Sequence, residues 1–344
     1  MSSKYLLQTP QVFLVDFLET AKKAKKRIWL QSMNYDPSPE TEVIEEVLIE
    51  RSQYQIDIRL NIDWVSERFF NHSFDTLPNL NPFSSSKRRI FNQKRQASLN
   101  RIKHAGGRVV VTNKPSFLKT FFPIAGRNHI KMYVVDGTVW MGGVNLVNEG
   151  FSTIDGMVKT THPRFMEALT DQFFKVNELK PRDHYLVKID EDLELIVDNG
   201  AVGKSLIYDE ANKAISSASE SIQLYSQIMP TGTLMQNLLS KSKQGTPVSF
   251  TTSNEEDGVF STFPQNAFYK QFRLKIKNNP NFLLKHLDRK LHLKLLLIDG
   301  KEFFFGSHNL SQVGVQLGTE EIMLHGTNND LLQQFQKMYG SLSE

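Results

Sequence analysis

Two histidines, two lysines and two asparagines recur at matched spacing along this 344-residue chain. The first set is His129, Lys131 and Asn145, and the second is His292, Lys294 and Asn309. Each string reads His-x-Lys-x4-Asp, ending at Asp136 and Asp299. Each then reaches a small-residue step, Gly142-Gly143-Val144-Asn145 in one copy and Gly306-Ser307-His308-Asn309 in the other. A lone His-x-Lys is usually a packed or solvated pair of strand residues. Duplication of the whole string, with glycine and asparagine following both times, points instead to six side chains gathered round one anionic centre.

These residue types suit displacement at phosphorus. A neutral imidazole can attack phosphorus and form a phosphohistidine, which divides one difficult displacement into two easier ones. A second, protonated histidine can hand its proton to the leaving oxygen and later take one from the incoming alcohol or water. Lysines and asparagine amides supply fixed charge and donors for the equatorial oxygens. The scheme calls for no metal and no cofactor, because the lysines carry the positive charge.

The elements that hold these groups can be read around them. Ile130 to Val135 and Leu293 to Ile298 are apolar runs that end in Asp136-Gly137 and Asp299-Gly300, which are hairpin-turn signals. If the runs are strands, His129 and Lys131 project to the same side, two residues apart. Asp136 and Asp299 fall at the turns, where they are expected to hold the turn rather than touch substrate.

The pattern resembles the phospholipase D superfamily, whose HKD motif reads His-x-Lys-x4-Asp-x6-Gly-(Gly/Ser)-x-Asn. The second copy fits that spacing, and the first has one residue fewer between Asp136 and Gly142. Within the superfamily the two strings look most like cardiolipin synthases and related phosphatidyltransferases. The resemblance implies catalytic motifs His129, Lys131, Asp136, Asn145 and His292, Lys294, Asp299, Asn309, with Gly143 and Ser307 in support. It implies His129 as nucleophile and His292 as general acid/base, with the reverse order open. Family members also place an acid after each asparagine to support a histidine. The matching positions are Asp155 and either Glu320 or Glu321, between which spacing does not choose.

The repeat extends beyond the motifs. Gln11 to Lys26 and Gly203 to Ser219 read as helices, followed by Ile28 to Met33 and Ile222 to Gln227 as strands. Further helices are expected at Pro39 to Arg51, Leu234 to Lys243, Ser86 to His104 and Pro264 to Ile276, with strands at Ile56 to Val65, Pro247 to Thr252 and Arg108 to Thr112. Helices close each half at Pro163 to Leu179 and Asn329 to Met338. Alternation of this kind predicts an α/β fold of two pseudo-symmetric phospholipase D-like halves. Each half should be a mixed, mostly parallel sheet flanked by helices, and the two should share one active site. The halves are residues 1–180, with motif 129–145, and 181–344, with motif 292–309. Lys180 to Asp190 reads as the connector.

Composition narrows the setting. The chain has no cysteine, which excludes disulfides and thiolate metal sites. Its start is a poor signal peptide, and no stretch approaches the ~20 apolar residues of a membrane span. The expectation is a cytoplasmic protein, or one peripheral to a membrane, with no transmembrane segment. Net charge is only +4, but Lys87 to Lys103 carries seven basic residues and no acid, and Lys22 to Arg27 forms a second basic cluster. Such faces suit anionic phospholipid at a membrane surface or a nucleic-acid backbone. A nuclease of the same superfamily, or an inactive binding member, are therefore the competing readings. Phe117 to Ile124 is expected at the rim of the site and Phe69 to Ser86 as an entrance loop. A chain with both motifs needs no second copy for catalysis.

Overall fold

The computed structural model describes residues 3–67, 69–70, 73–74, 85–114, 125–176, 183–253 and 265–342. The segments expected at the rim and entrance, Phe117 to Ile124 and most of Phe69 to Ser86, lie outside the described residues, as does the start of the connector.

The described elements up to the middle of the chain are β1 (Tyr5–Gln8), α1 (Pro10–Ala21), β2 (Arg27–Ser32), α2 (Pro39–Ser52), β3 (Asp57–Asp63), the short β4 (Phe69–Phe70) and β5 (Ser73–Phe74), α3 (Ser85–His104), β6 (Arg108–Thr112), β7 (Met132–Val135), β8 (Thr138–Gly142), β9 (Met157–Thr160) and α4 (Pro163–Lys175). Then come β10 (Tyr185–Lys188), β11 (Leu193–Asn199), α5 (Leu206–Ser217), β12 (Ile222–Tyr225), α6 (Thr233–Lys243), β13 (Val248–Ser253), α7 (Gln265–Ile276), β14 (Phe282–Leu287), β15 (Leu295–Ile298), β16 (Glu302–Gly306), α8 (Gln312–Leu317), β17 (Glu320–Gly326) and α9 (Asn329–Tyr339).

Local signals explain many of the boundaries. Thr9 and Ser38 cap α1 and α2, each followed by a proline whose fixed φ suits the first helical position. Phe13, Phe17 and Ala21 recur every fourth residue of α1 and are buried. Strands β7 and β15 are buried at every position, so they read as continuous apolar runs rather than alternating ones.

The chain divides into two compact units. The N-terminal unit is Gln8–Ser152 with Met157–Lys180, and the C-terminal unit is Met1–Leu7, Thr153–Gly156 and Pro181–Glu344. The N-terminal unit's sheet runs β9-β8-β7-β2-β3-β6, and the C-terminal unit's runs β10-β11-β17-β16-β15-β12-β13-β14. The six strands of the first order match β17-β16-β15-β12-β13-β14 strand for strand.

Both sheets are mixed, but parallel pairing is not the larger share. It is confined to β2-β3-β6 and β12-β13-β14, while the motif strands and their neighbours pair antiparallel. The cause lies in the motif: its Asp-Gly turns send the chain straight back beside itself, and a tight turn can join only antiparallel strands.

Each unit has its own core. In the first, Phe13 and Phe17 of α1 meet Tyr133 and Trp140 with ring centroids 4.8–6.2 Å apart. In the second, Leu224, Phe250, Leu296 and Phe304 of the sheet pack with Ile207, Leu234 and Phe272 of the helices.

Candidate active site

The motif histidines and lysines sit just before their strands rather than within them, since β7 begins at Met132 and β15 at Leu295. Lys131 and Lys294 are fully buried, and each ammonium turns back to donate to the carbonyl of its own motif histidine, His129 and His292. Burial pushes the Lys294 ammonium down to about 8, although the charges of Asp155 and Glu321 work to raise it. Both carboxylates therefore stand close enough to Lys294 to be felt.

His292 is held by Asp155. Its Nδ1 lies 2.7 Å from Oδ2 of the buried Asp155. The backbone explains how Asp155 arrives there. Ile154 bridges to Leu291, donating its N–H to the Lys290 carbonyl and accepting from the N–H groups of His292 and Leu293. The Tyr339 hydroxyl donates to the Asp155 carbonyl, 2.9 Å away. A Cβ on Gly156 would come within 2.5 Å of that hydroxyl, so the close approach requires glycine. Asp155 follows the first motif in sequence, yet it serves the histidine of the second. That carboxylate commits the Nδ1 nitrogen and so orients the ring.

Strand register settles which glutamate corresponds to Asp155. Gly142 pairs with Met157, and Gly306 pairs with Met323. Asp155 and Glu321 each lie two residues before the paired methionine. Glu321 also accepts from the Ser307 hydroxyl, whereas Glu320, its neighbour on the strand, lies against Gly200. Ser307 is tied further to β17 through the Ile322 backbone. Gly306 has no room for a side chain, because a Cβ would stand 2.2 Å from the Ile322 carbonyl oxygen.

A serine holds each asparagine, through the side chain in one copy and the backbone in the other. The Asn145 Oδ1 accepts from Ser32 Oγ at 3.3 Å, and the Asn309 carbonyl accepts from Ser226 Oγ at 3.2 Å. Ser32 ends β2 and Ser226 follows β12, at equivalent places in the repeat. Gly143 is buried in the turn ahead of Asn145.

Asp136 and Asp299 do not join these groups. Each sits at the far end of its motif strand with positive φ and binds the loop that enters the neighbouring strand. Asp136 accepts from the N–H groups of Lys25, Lys26 and Arg27, and Asp299 from those of Ser219, Glu220 and Ser221. Burial would raise both carboxyls, but the amides outweigh it and hold them below the ordinary value. Both aspartates are thus bound to the loop beside their turns.

The sequence reading missed a buried network beneath the first motif. The Asp63 carboxylate pairs with Arg127 at 2.9 Å and accepts from the Asn128 N–H at 2.7 Å. The Asn128 side chain in turn accepts from Ile130 N–H and from Gln31, which also accepts from Asn61. Burial pushes the Asp63 carboxyl up to about 6, against the pull of Arg127 and of the amides. The available signal was polar residues inside otherwise apolar strands, Gln31 in β2 and Asn61 in β3. The basic helix α3 also differs from its reading. Arg95 is buried on Asp36 and the Tyr35 carbonyl, and Arg101 clamps Glu45, so part of that charge points inward. Among the described residues no group of side chains is arranged to hold a metal ion.

A family model described as the PLD-like domain of cardiolipin synthase matches residues 17–176 and 212–342. The chain belongs to that family. As a PLD-like protein it is an enzyme of the phosphatidyltransferase or phosphodiesterase type. Phosphatidylserine synthase from Haemophilus influenzae Rd KW20 shares the PLD-like fold over 100% of this chain and 87% of its own, with TM-score 0.75 and 14% identity. Polyphosphate kinase from Porphyromonas gingivalis is similar over 99% of this chain, which spans 50% of that kinase, with TM-score 0.61 and 12% identity. No curated protein matches the sequence.

Proposed function

We propose that this PLD-like enzyme transfers or hydrolyses the phosphatidyl group of phospholipids through a phosphohistidine, without a metal. An imidazole nitrogen of His129 attacks phosphorus while the bond to the leaving oxygen breaks, and His292 gives that oxygen its proton. Water or an alcohol then attacks the phosphohistidine, returning a proton to His292 as the phosphorus–nitrogen bond breaks. Lys131, Lys294, Asn145 and Asn309 neutralise the equatorial oxygens. Asp155 fixes the Nδ1 proton of His292, and Glu321 is the corresponding positioning group for His129.

The observation that favours lipid over nucleic acid is a cavity of about 490 Å³ in the C-terminal unit. Its apolar lining includes Met229, Met235, Leu239, Phe272, Val313 and Leu317. It opens beside the Asn309 loop, because Gln312 also lines it and the Thr231 hydroxyl bonds Ser311 and the Gln312 N–H. Small-molecule sites fall at roughly 300–1,000 Å³, and each methylene buried contributes about 0.8 kcal/mol. An acyl chain can use such a space along its length, whereas the charged backbone of a polynucleotide cannot.

The test is turnover of phosphatidylglycerol in mixed vesicles with excess EDTA, read by lipid mass spectrometry beside the His292→Ala protein. EDTA-resistant cardiolipin or phosphatidic acid, lost in the variant, is the expected result. Folded wild-type protein that cleaves oligonucleotides and leaves every lipid intact would replace this reading with the nuclease one.

A further inference from the structure

From Gln265 to Leu287 the chain carries Lys270, Arg273, Lys275, Lys277, Lys285 and His286, and not one acid. The fold turns this run into two faces of α7. Tyr269, Phe272 and Ile276 point into the core of the C-terminal unit. Lys270, Arg273, Leu274 and Lys277, spaced three, four and seven apart, form the exposed stripe opposite. With Leu284 and His286 of β14, this stripe lines an open groove of about 640 Å³. The imidazole of His286 is tied on both sides, to the Tyr269 hydroxyl and the Ser253 carbonyl, and Lys270, Arg273 and Lys277 line the groove with it.

Leu274 sits among these cations at 74% exposure, the highest of the large hydrophobic residues described. A leucine ringed by cations is the pattern of a surface that meets lipid, where the charges attract anionic headgroups and the aliphatic chain enters the acyl boundary. Nucleic acid would call for exposed rings on which bases stack. Among the described residues, the side chains of the aromatics Tyr269, Phe272 and Phe282 of this face are buried.

We propose that α7 and the edge strand β14 form a docking face for an anionic membrane, with Leu274 as the inserting side chain. The purpose of this face, bringing the enzyme to bilayer substrate, rests on the phospholipid reading above. Phe272 and Lys275 on the other side of α7 line the apolar cavity, so one helix stands between the docked bilayer and the space assigned to an acyl chain.

The experiment is flotation of the full chain with vesicles of phosphatidylglycerol in phosphatidylcholine, against phosphatidylcholine alone. Wild type should float only with the anionic vesicles and should be released by salt. The K270E/R273E/K277E protein should bind at least about 100-fold more weakly, given the worth of each charge near an anionic surface. Leu274→Ser should weaken binding about tenfold and leave the salt dependence in place. Circular dichroism confirms that the variants are folded. Unchanged flotation of the triple variant would overturn the proposal, as would equal binding to neutral vesicles. Loss of single-stranded DNA binding in that variant, with no vesicle binding by wild type, would overturn it in favour of nucleic acid. Turnover of water-soluble, short-chain phosphatidylglycerol separates the two ideas. The triple variant should retain it if both hold. Wild type that floats but turns over no lipid in any form would sink the functional reading and leave the docking face standing.

Discussion

At the scale of single residues, the site depends on ammonium groups withdrawn from water. Lys294 is 1% exposed, and burial brings it down to about 8 despite the nearby carboxylates. A neutral amine cannot compensate a phosphate oxygen, so kcat/KM should fall on an alkaline limb centred near pH 8. Lys294→Arg, in whatever activity it retains, should move that limb upward, since a guanidinium stays charged. The same shift has a stability sign. The unfolded chain keeps this proton up to about 10.4 while the folded protein releases it near 8, so stability gained from this group should rise with pH between those values. Denaturant midpoints across that window would check it. At the same scale, Asp155→Asn should lower kcat by roughly 10²–10⁴ with the fold intact, by analogy with losing the carboxylate that sets a catalytic histidine's tautomer. A change in KM alone would contradict that role. The two strings of histidine, lysine and asparagine were legible because they repeat. The partnership of Asp155 with His292 was not, because it depends on the path of the backbone, and spacing along the chain carries no record of that path.

At the scale of elements, the motif is a strand entry, a turn and a return, with different residues securing each part. The turn aspartates bind three amides apiece in the loop before the neighbouring strand, β2 for Asp136 and β12 for Asp299. Asp299→Ala should therefore cost about 1.5–3 kcal/mol of stability, the usual worth of hydrogen bonds to a charged group, with kcat within tenfold of wild type. Urea unfolding alongside turnover would show it, and a catalytic collapse without loss of stability would place Asp299 in the chemistry instead. The Asp-Gly pairs announced these turns, and helix boundaries came within a few residues where a cap and a proline coincided, as at Ser38-Pro39. The strand starts were placed too early. Ile130 and Leu293 are apolar enough to extend the pattern, but in the first copy the backbone there is held by Asn128 and Asp63 rather than by a strand neighbour alone. Gln31 and Asn61 hinted at that arrangement without saying what they would bind.

At the scale of the whole molecule, the two matching strand orders make the internal repeat visible, and that much followed from the duplicated string and the helix-strand rhythm around it. Strands β10 and β11 at the edge of the second sheet did not, since short strands after a connector carry little pattern of their own. Their attachment has a titratable bond. His325 of β17 reaches Glu194 of β11 and Glu302 of β16, each at 2.6 Å, across three adjacent strands. Burial opposes the imidazolium, but the two carboxylates outweigh it and raise its pKa above the ordinary value. A group raised in this way stabilises the fold fully below about pH 6.5, the unfolded value, and loses that contribution as pH climbs through the folded value. Wild type should thus lose stability relative to His325→Gln as pH rises from 6 upward, and parallel curves would show that the histidine is not charged in the fold. Residues 153–156 carry a different kind of consequence. They are encoded with the first copy of the repeat and built into the unit that holds the second. A gene cut at the boundary near residue 180 would yield a downstream product with His292 but without its carboxylate. A substitution at residue 155 is therefore a change to the histidine of the other motif.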